Sequence, residues 1–372
     1  MHLYIHIPFC KQACHYCDFH FSTSMALKND MIDSICKEII LQKDYLKNKN
    51  LETIYFGGGT PSLLNENDFD KIFNTIYQYF SIDKNVEITI EANPDDLNDT
   101  KLKLFKKMPI NRFSIGIQSF NQSHLATLNR AHNHLEAKEC VQLSQDRGFE
   151  NISIDLIYGI PAPNHDIWKN DLEIATSLNV PHISAYCLTI EPKTAFGNLL
   201  KKGKMSSIDE QFAIEQYKLL TENLALKHYE QYEISNFAKE KKYSKHNTSY
   251  WKRDEYLGIG PSAHSYNWES RQFNISNNAK YIQAIQKNKI PAEIDYLSPE
   301  NKANEYIMTG LRTCWGIDTD VLKSYNQTLN AEILNNYLNK NLIVKKENKI
   351  LLSETGKLFA DQISADLFFD VS

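Results

Sequence analysis

Short β-rich runs alternating with longer helical patterns are what most constrain this chain. The strand-like runs fall at 3–7, 53–56, 86–91, 112–118, 152–158 and 182–190, with helical patterns at 26–45, 68–79, 135–147 and 167–178 between them. Strand–helix–strand repeats build parallel units with right-handed crossovers. Six such units curl into a partial (β/α)6 TIM-like barrel, an α/β architecture whose functional loops gather at the carboxyl ends of the strands. An open doubly wound sheet fits the same pattern, and periodicity alone does not choose between the two.

The C-terminal end changes character. Helical patterns at 299–312, 318–325 and 331–338 precede two strand-like runs within 342–352, folded about Glu347-Asn348. A final helix is expected over 353–367, with Ser353 placed to cap it. Together these describe a smaller winged-helix-like α+β module. The expected division is a barrel core at 1–235, a connecting segment at 236–295 and the module at 296–372.

With 372 residues, 42% hydrophobic and 23% charged, the chain reads as a globular protein of one large unit plus an appendage. Its formal net charge of −5 argues against broad binding to nucleic-acid phosphates, so the module is read as a packing or partner domain. The basic run Lys239-Glu-Lys-Lys-Tyr-Ser-Lys245 reads as a solvated loop. No apolar run is long enough to span a bilayer, which leaves only peripheral membrane contact. The opening His2-Leu-Tyr-Ile-His-Ile-Pro8 is too short, and lacks the basic start, for a secretory leader; a cytoplasmic chain with reduced thiols is expected.

Directly after the first strand comes Cys10-Lys-Gln-Ala-Cys14-His-Tyr-Cys17, a C-x3-C-x2-C run. The residue two places further on is Phe19, and the other four of the seven cysteines are scattered singly. Three thiolates in one tight loop favour an iron–sulfur cube with one iron left open for another ligand. Zinc with His15 or His20 as fourth ligand is the alternative. After the second strand comes Phe56-Gly57-Gly58-Gly59-Thr60-Pro61, where glycines let backbone approach a ligand closely. No lysine follows them, which excludes a Walker phosphate loop. Later strands end in or carry Glu91, Gln118 and Asp155, with Arg130 beyond the fourth. An acid inside an apolar strand is costly unless paired, and arginine is shaped to grip a carboxylate.

In this order and spacing the motifs resemble the radical S-adenosylmethionine (SAM) superfamily. That resemblance implies a [4Fe–4S] cluster on Cys10, Cys14 and Cys17, whose open iron takes SAM and whose reduction cleaves it. Within the superfamily the chain is similar to the oxygen-independent coproporphyrinogen III oxidase branch. Tyr4, Tyr16, Gly58, Gly59, Thr60, Glu91, Gln118, Arg130 and Asp155 fall on that branch's SAM-contacting positions, and the resemblance continues through Gly258-Ile-Gly-Pro-Ser-Ala-His264. The oxidases carry a further cysteine where Phe19 stands, and an extension before the first strand. Both departures are shared by HemW-type heme chaperones, as is the motif H-N-x-x-Y-W, here His246-Asn247-Thr-Ser-Tyr250-Trp251. The resemblance therefore implies heme as cargo, heme-acceptor proteins and an electron donor as partners, and His246 as candidate heme contact. Tyr250 would share its helical face at i+4, Trp251 would pack on the macrocycle, and Lys242 and Lys245 would lie near the propionates. Oxidative decarboxylation of coproporphyrinogen III is the alternative function.

Overall fold

A computed structural model describes residues 1–371. Six parallel strands form its centre: β1 (His2–Ile7), β2 (Asn50–Gly58), β3 (Ser81–Ala92), β4 (Arg112–Gln118), β5 (Ile152–Tyr158) and β6 (His182–Cys187). Six more extend the sheet: β7 (Glu230–Glu233), β8 (Asn236–Ala238), β9 (Tyr256–Ile259), β10 (His264–Tyr266), β11 (Ser270–Asn274) and β12 (Ala292–Tyr296). The order is β12-β11-β10-β9-β1-β2-β3-β4-β5-β6-β8-β7. Residues 236–295, expected as a connector, thus supply five strands of the main sheet, and β9 pairs in parallel with β1.

Alternation along the strands supplies what periodicity between elements could not. One parity is apolar: Leu3, Ile5 and Ile7, then Ile54 and Phe56, Ile88 and Ile90, Phe113 and Ile115, and Ile152 and Ile154 are all buried. They share one core with helix residues such as Ile35, Phe69, Phe105, Val141 and Leu172. The other parity is polar and bonds sideways from strand to strand. His2 meets Thr53 at 2.9 Å, Tyr55 donates to Glu91 at 2.8 Å, Ser114 to Asp155 at 3.2 Å, and Ser153 meets His182 at 2.7 Å. A doubly wound sheet is covered by helices on both faces and needs apolar residues on both. Here only one face takes helices, and the other is a polar lumen, as a partial (β/α)6 barrel requires.

The C-terminal module has its own core, built from residues between Ala303 and Leu367. The expected hairpin is Ile343–Lys346 with Lys349–Leu352, and a short third strand, Ile317–Asp318, joins its second strand. The final helix begins as a 3-10 turn, Gly356–Phe359, and becomes α-helical only over Ala360–Asp366. Module and barrel meet where Ile234 donates to the Arg312 carbonyl and Arg312 pairs with the buried Glu233 at 3.2 Å. No helix among the described residues is long and apolar enough to cross a membrane.

Candidate functional site

The three cysteines lie in the loop that leaves β1. Backbone bonds pin this loop: Cys10 donates to the Ser22 carbonyl, His15 to the Leu128 carbonyl, and Phe196 to the His15 carbonyl. Lys11 reaches Asp95 at 2.8 Å and also pairs with Asp96. Burial pushes the Cys10 thiol up, and it pushes Cys17 up to about 12, with the neighbouring Cys14 and Cys10 adding to the rise. The sulfurs therefore sit within electrostatic reach of each other in a site hostile to bare thiolates, and iron would supply the missing positive charge. Among the described residues no three His, Cys, Asp or Glu side chains converge on one ion. Three thiols within one short loop are a donor set that would suit an iron–sulfur cluster. His15 bonds the Thr127 carbonyl through Nδ1, and His20 bonds Asn278 through Nε2, so both imidazoles are already engaged.

The glycine turn closes on the chain itself. Gly59 donates to the Ile7 carbonyl at 2.9 Å and Thr60 to the Phe9 carbonyl at 2.6 Å, tying the end of β2 to the cysteine loop. A Cβ on Gly59 would stand 2.6 Å from the Phe9 oxygen; one on Gly58, which has φ +105°, would stand 2.5 Å from the His6 ring. Gly58 also donates to Glu91 at 3.1 Å, so the Glu91 carboxylate holds both this turn and the Tyr55 hydroxyl. Burial raises Glu91 to about 7 against those two hydrogen bonds, with the Asp155 charge pushing the same way.

Arg130 spans the site. Its Nη1 donates to Cys14 Sγ at 3.2 Å and Tyr16 Oη at 3.3 Å; its Nη2 donates to Asn93 Oδ1 at 2.6 Å and the Gly116 carbonyl at 2.8 Å. Nε is buried without a partner among the described residues. Asn93 in turn donates to Thr60 at 3.2 Å. Gln118 ends β4 in the left-handed region at φ 68°, the strained backbone that strand ends at functional sites often hold. Asp155, raised by burial, is held by Ser114 and Ser184 and attracted by Arg112, a fully buried guanidinium at the start of β4. Cys10, Cys14, Cys17, Tyr16, Thr60, Glu91, Gln118, Arg130 and Asp155 thus gather around the carboxyl half of the central strands. Tyr55 and Asn93 were missed; the alternating polar parity of β2 and the Glu91-Ala-Asn93 spacing were the signals that could have found them.

The H-N-x-x-Y-W segment lies on the helix Lys245–Lys252, capped by Ser244. Glu87, midway along β3 and in register with Thr53 and His2, accepts from the backbone amides of Lys245 and His246, so the helix plugs the amino-terminal end of the lumen. His246 is buried there, its ring 4.8 Å from that of Tyr55. Its Nδ1 bonds Thr53 at 2.6 Å and its Nε2 bonds Tyr250 at 2.8 Å. The i, i+4 pairing expected from the sequence is present, but it consumes the imidazole. Burial lowers the His246 pKa well below the usual histidine range. Tyr250 and Trp251 instead line a cleft of about 460 Å³ that Tyr4 and His6 border on the β1 side. Phe19, 69% exposed, stands at its edge.

A barrel with a three-cysteine loop after β1 and a glycine turn after β2 defines a class, and the model of the Radical SAM superfamily matches residues 4–174. Over 97% of its length the chain is 34% identical to the heme chaperone HemW of Bacillus subtilis, covering 97% of that protein. It is 36% identical to the heme chaperone HemW of Escherichia coli over 70% of this chain and 69% of that one. The chain belongs to the HemW family. The coproporphyrinogen III oxidase HemN of Escherichia coli, a radical SAM enzyme, superposes with TM-score 0.85 over 98% of this chain and 89% of that one, at 20% identity. That likeness fixes the fold.

Proposed function

We propose that the chain is a heme-binding chaperone that carries a SAM-bound [4Fe–4S] cluster and delivers heme to acceptor proteins. Identity of 32–34% to heme chaperones over 95–97% of the chain is the observation that carries the reading. Cys10, Cys14 and Cys17 hold the cluster, which when reduced by an electron donor supplies an electron to SAM. The Gly58-Gly59-Thr60 turn, Glu91 and Asp155 take the polar groups of SAM, while Arg130 and Gln118 frame its carboxylate side. Tyr16 shares Nη1 of Arg130 with Cys14, and Tyr4 walls the lumen beside Tyr55 and His246. His246 acts on the cargo from behind, by holding Tyr250 at the cleft.

The test is anaerobic reconstitution followed by a heme titration, run beside a coproporphyrinogen III turnover assay with SAM and reductant. Stoichiometric heme binding without porphyrinogen consumption is expected. Product above the no-protein control would replace the chaperone reading with the oxidase one.

A further inference from the structure

Of the imidazoles near the cleft, His6 is consumed: Nδ1 bonds Tyr4 at 3.1 Å and Nε2 bonds the His20 carbonyl at 2.9 Å. The phenols are consumed as well. Tyr250 bonds His246, Tyr266 accepts from Arg253 at 3.1 Å, and Tyr256 accepts from Arg271 at 3.1 Å. His264 differs. It opens β10, exposed on the cleft, with its ring 4.8 Å from that of Phe273 in edge-to-face contact. Only burial and the Arg271 charge act on its ionisation; no hydrogen bond among the described residues does. Both push its pKa down from the usual histidine range, and neither ring nitrogen has a hydrogen-bond partner among the described residues.

The rest of the lining is selective. It contains Arg253 and Arg271 and no carboxylate, while aromatic rings make up most of its walls. The two guanidiniums share a single acid, Glu305, outside the lining. Arg253 is buried, with Nη1 on Tyr325 and Nη2 on Tyr266, whereas Arg271 uses Nε on Glu305 and Nη1 on Tyr256 and keeps Nη2 without a partner among the described residues. An excess of positive charge therefore borders an aromatic slot that ends at a free imidazole. A flat apolar ring with two carboxylates on one edge and a metal at its centre has the complementary chemistry.

We infer that His264, not His246, would ligate heme iron, and that Arg271 would receive a propionate, with the buried Arg253 adding positive charge behind it. This rests on the heme reading above. Phe19 lines the same slot, so the residue that stands where an oxidase has cysteine becomes an apolar wall for the cargo. The loop that carries the cluster thereby borders the heme.

The experiment is a hemin titration of the reconstituted full-length protein, read by Soret absorbance and by the electron paramagnetic resonance signature of the axial ligand. Wild type, His264→Ala, His264→Gly and His246→Ala are compared, with iron and sulfide content as the folding control. His264 is exposed, so cluster content is expected to be unchanged in its variants. His264→Ala is expected to lose the imidazole signature and at least tenfold in affinity, and free imidazole to restore the signature in His264→Gly. His246→Ala is expected to keep the imidazole signature. Wild-type spectrum and affinity in His264→Ala would overturn the assignment while leaving the chaperone reading intact. Failure of wild type to bind hemin would instead overturn that reading, and this one with it.

Discussion

Glu91 is stabilised as a carboxylate by two donors and destabilised by its surroundings, and the balance makes a measurable prediction. Its pKa of about 7 lies about 2.5 units above the usual 4.5. Each unit is worth about 1.4 kcal/mol, which sets a ceiling of about 3.5 kcal/mol; partial water access reduces this to about 2 kcal/mol. Below pH 4.5 the group is protonated in folded and unfolded chains alike, and its contribution is fully favourable. Between pH 4.5 and 7 the unfolded chain ionises first, so stability falls as pH rises, and above 7 the loss is complete. Glu91→Gln removes this titration but leaves only one oxygen to serve Tyr55 and Gly58, a cost of about 1 kcal/mol at every pH. The variant is therefore expected to be less stable than wild type by just under 1 kcal/mol at pH 4, to draw level near pH 5–5.5, and to be more stable by about 1 kcal/mol at pH 8.5. Urea denaturation of the iron-free, reduced proteins across that range measures the difference, in which titrations common to both chains cancel. A wild-type-minus-variant difference that stays flat within about 0.5 kcal/mol would refute the reasoning. SAM affinity of the reconstituted variant is expected to fall, because the neutral amide no longer attracts an ammonium group.

Gly59→Ala places a methyl 2.6 Å from the Phe9 oxygen and 2.8 Å from the Ile7 oxygen, so a loss of about 2 kcal/mol and a depleted iron content are expected from denaturation and iron assay. Arg130→Lys keeps the charge but loses the fork that serves Cys14, Tyr16, Asn93 and Gly116; SAM affinity is expected to drop about tenfold or more by isothermal titration. His246→Ala leaves Thr53 and Tyr250 without their imidazole partner and opens a cavity, so its denaturation midpoint is expected to report a loss of about 2–4 kcal/mol. Phe19→Ala, at an exposed ring, is expected to leave stability within about 0.5 kcal/mol of wild type while weakening hemin binding in the same titration.

How much was legible depended on whether a residue's partner was near it in sequence or across the sheet. The strands at 112–118 and 152–158 were read to the residue, because apolar alternation stops where they stop. The strand read at 53–56 extends to Asn50 and Gly58, and the one at 86–91 begins at Ser81. Their added amino-terminal residues are mostly polar, with one apolar pair, Leu51 against Ile82, and they join the sheet by pairing with each other, which no local pattern announces. The site divides in the same way. Cys10, Cys14, Cys17 and the glycine turn announce themselves through spacing, whereas Tyr55 and Asn93 matter only because parallel pairing sets them beside Glu91 and Arg130. The histidines make the point most sharply. Helical spacing placed His246 against Tyr250, and the 2.8 Å bond between them is there. Yet the same ring is closed off by Thr53, 193 residues away, and by a helix start that Glu87 caps from β3. To take iron, His246 would have to give up a buried hydrogen bond, a cost the His264 ring does not carry. The motif identifies the chemistry of the segment, and the hydrogen bonds decide which imidazole is free to perform it; by that criterion the free one at the cleft is His264.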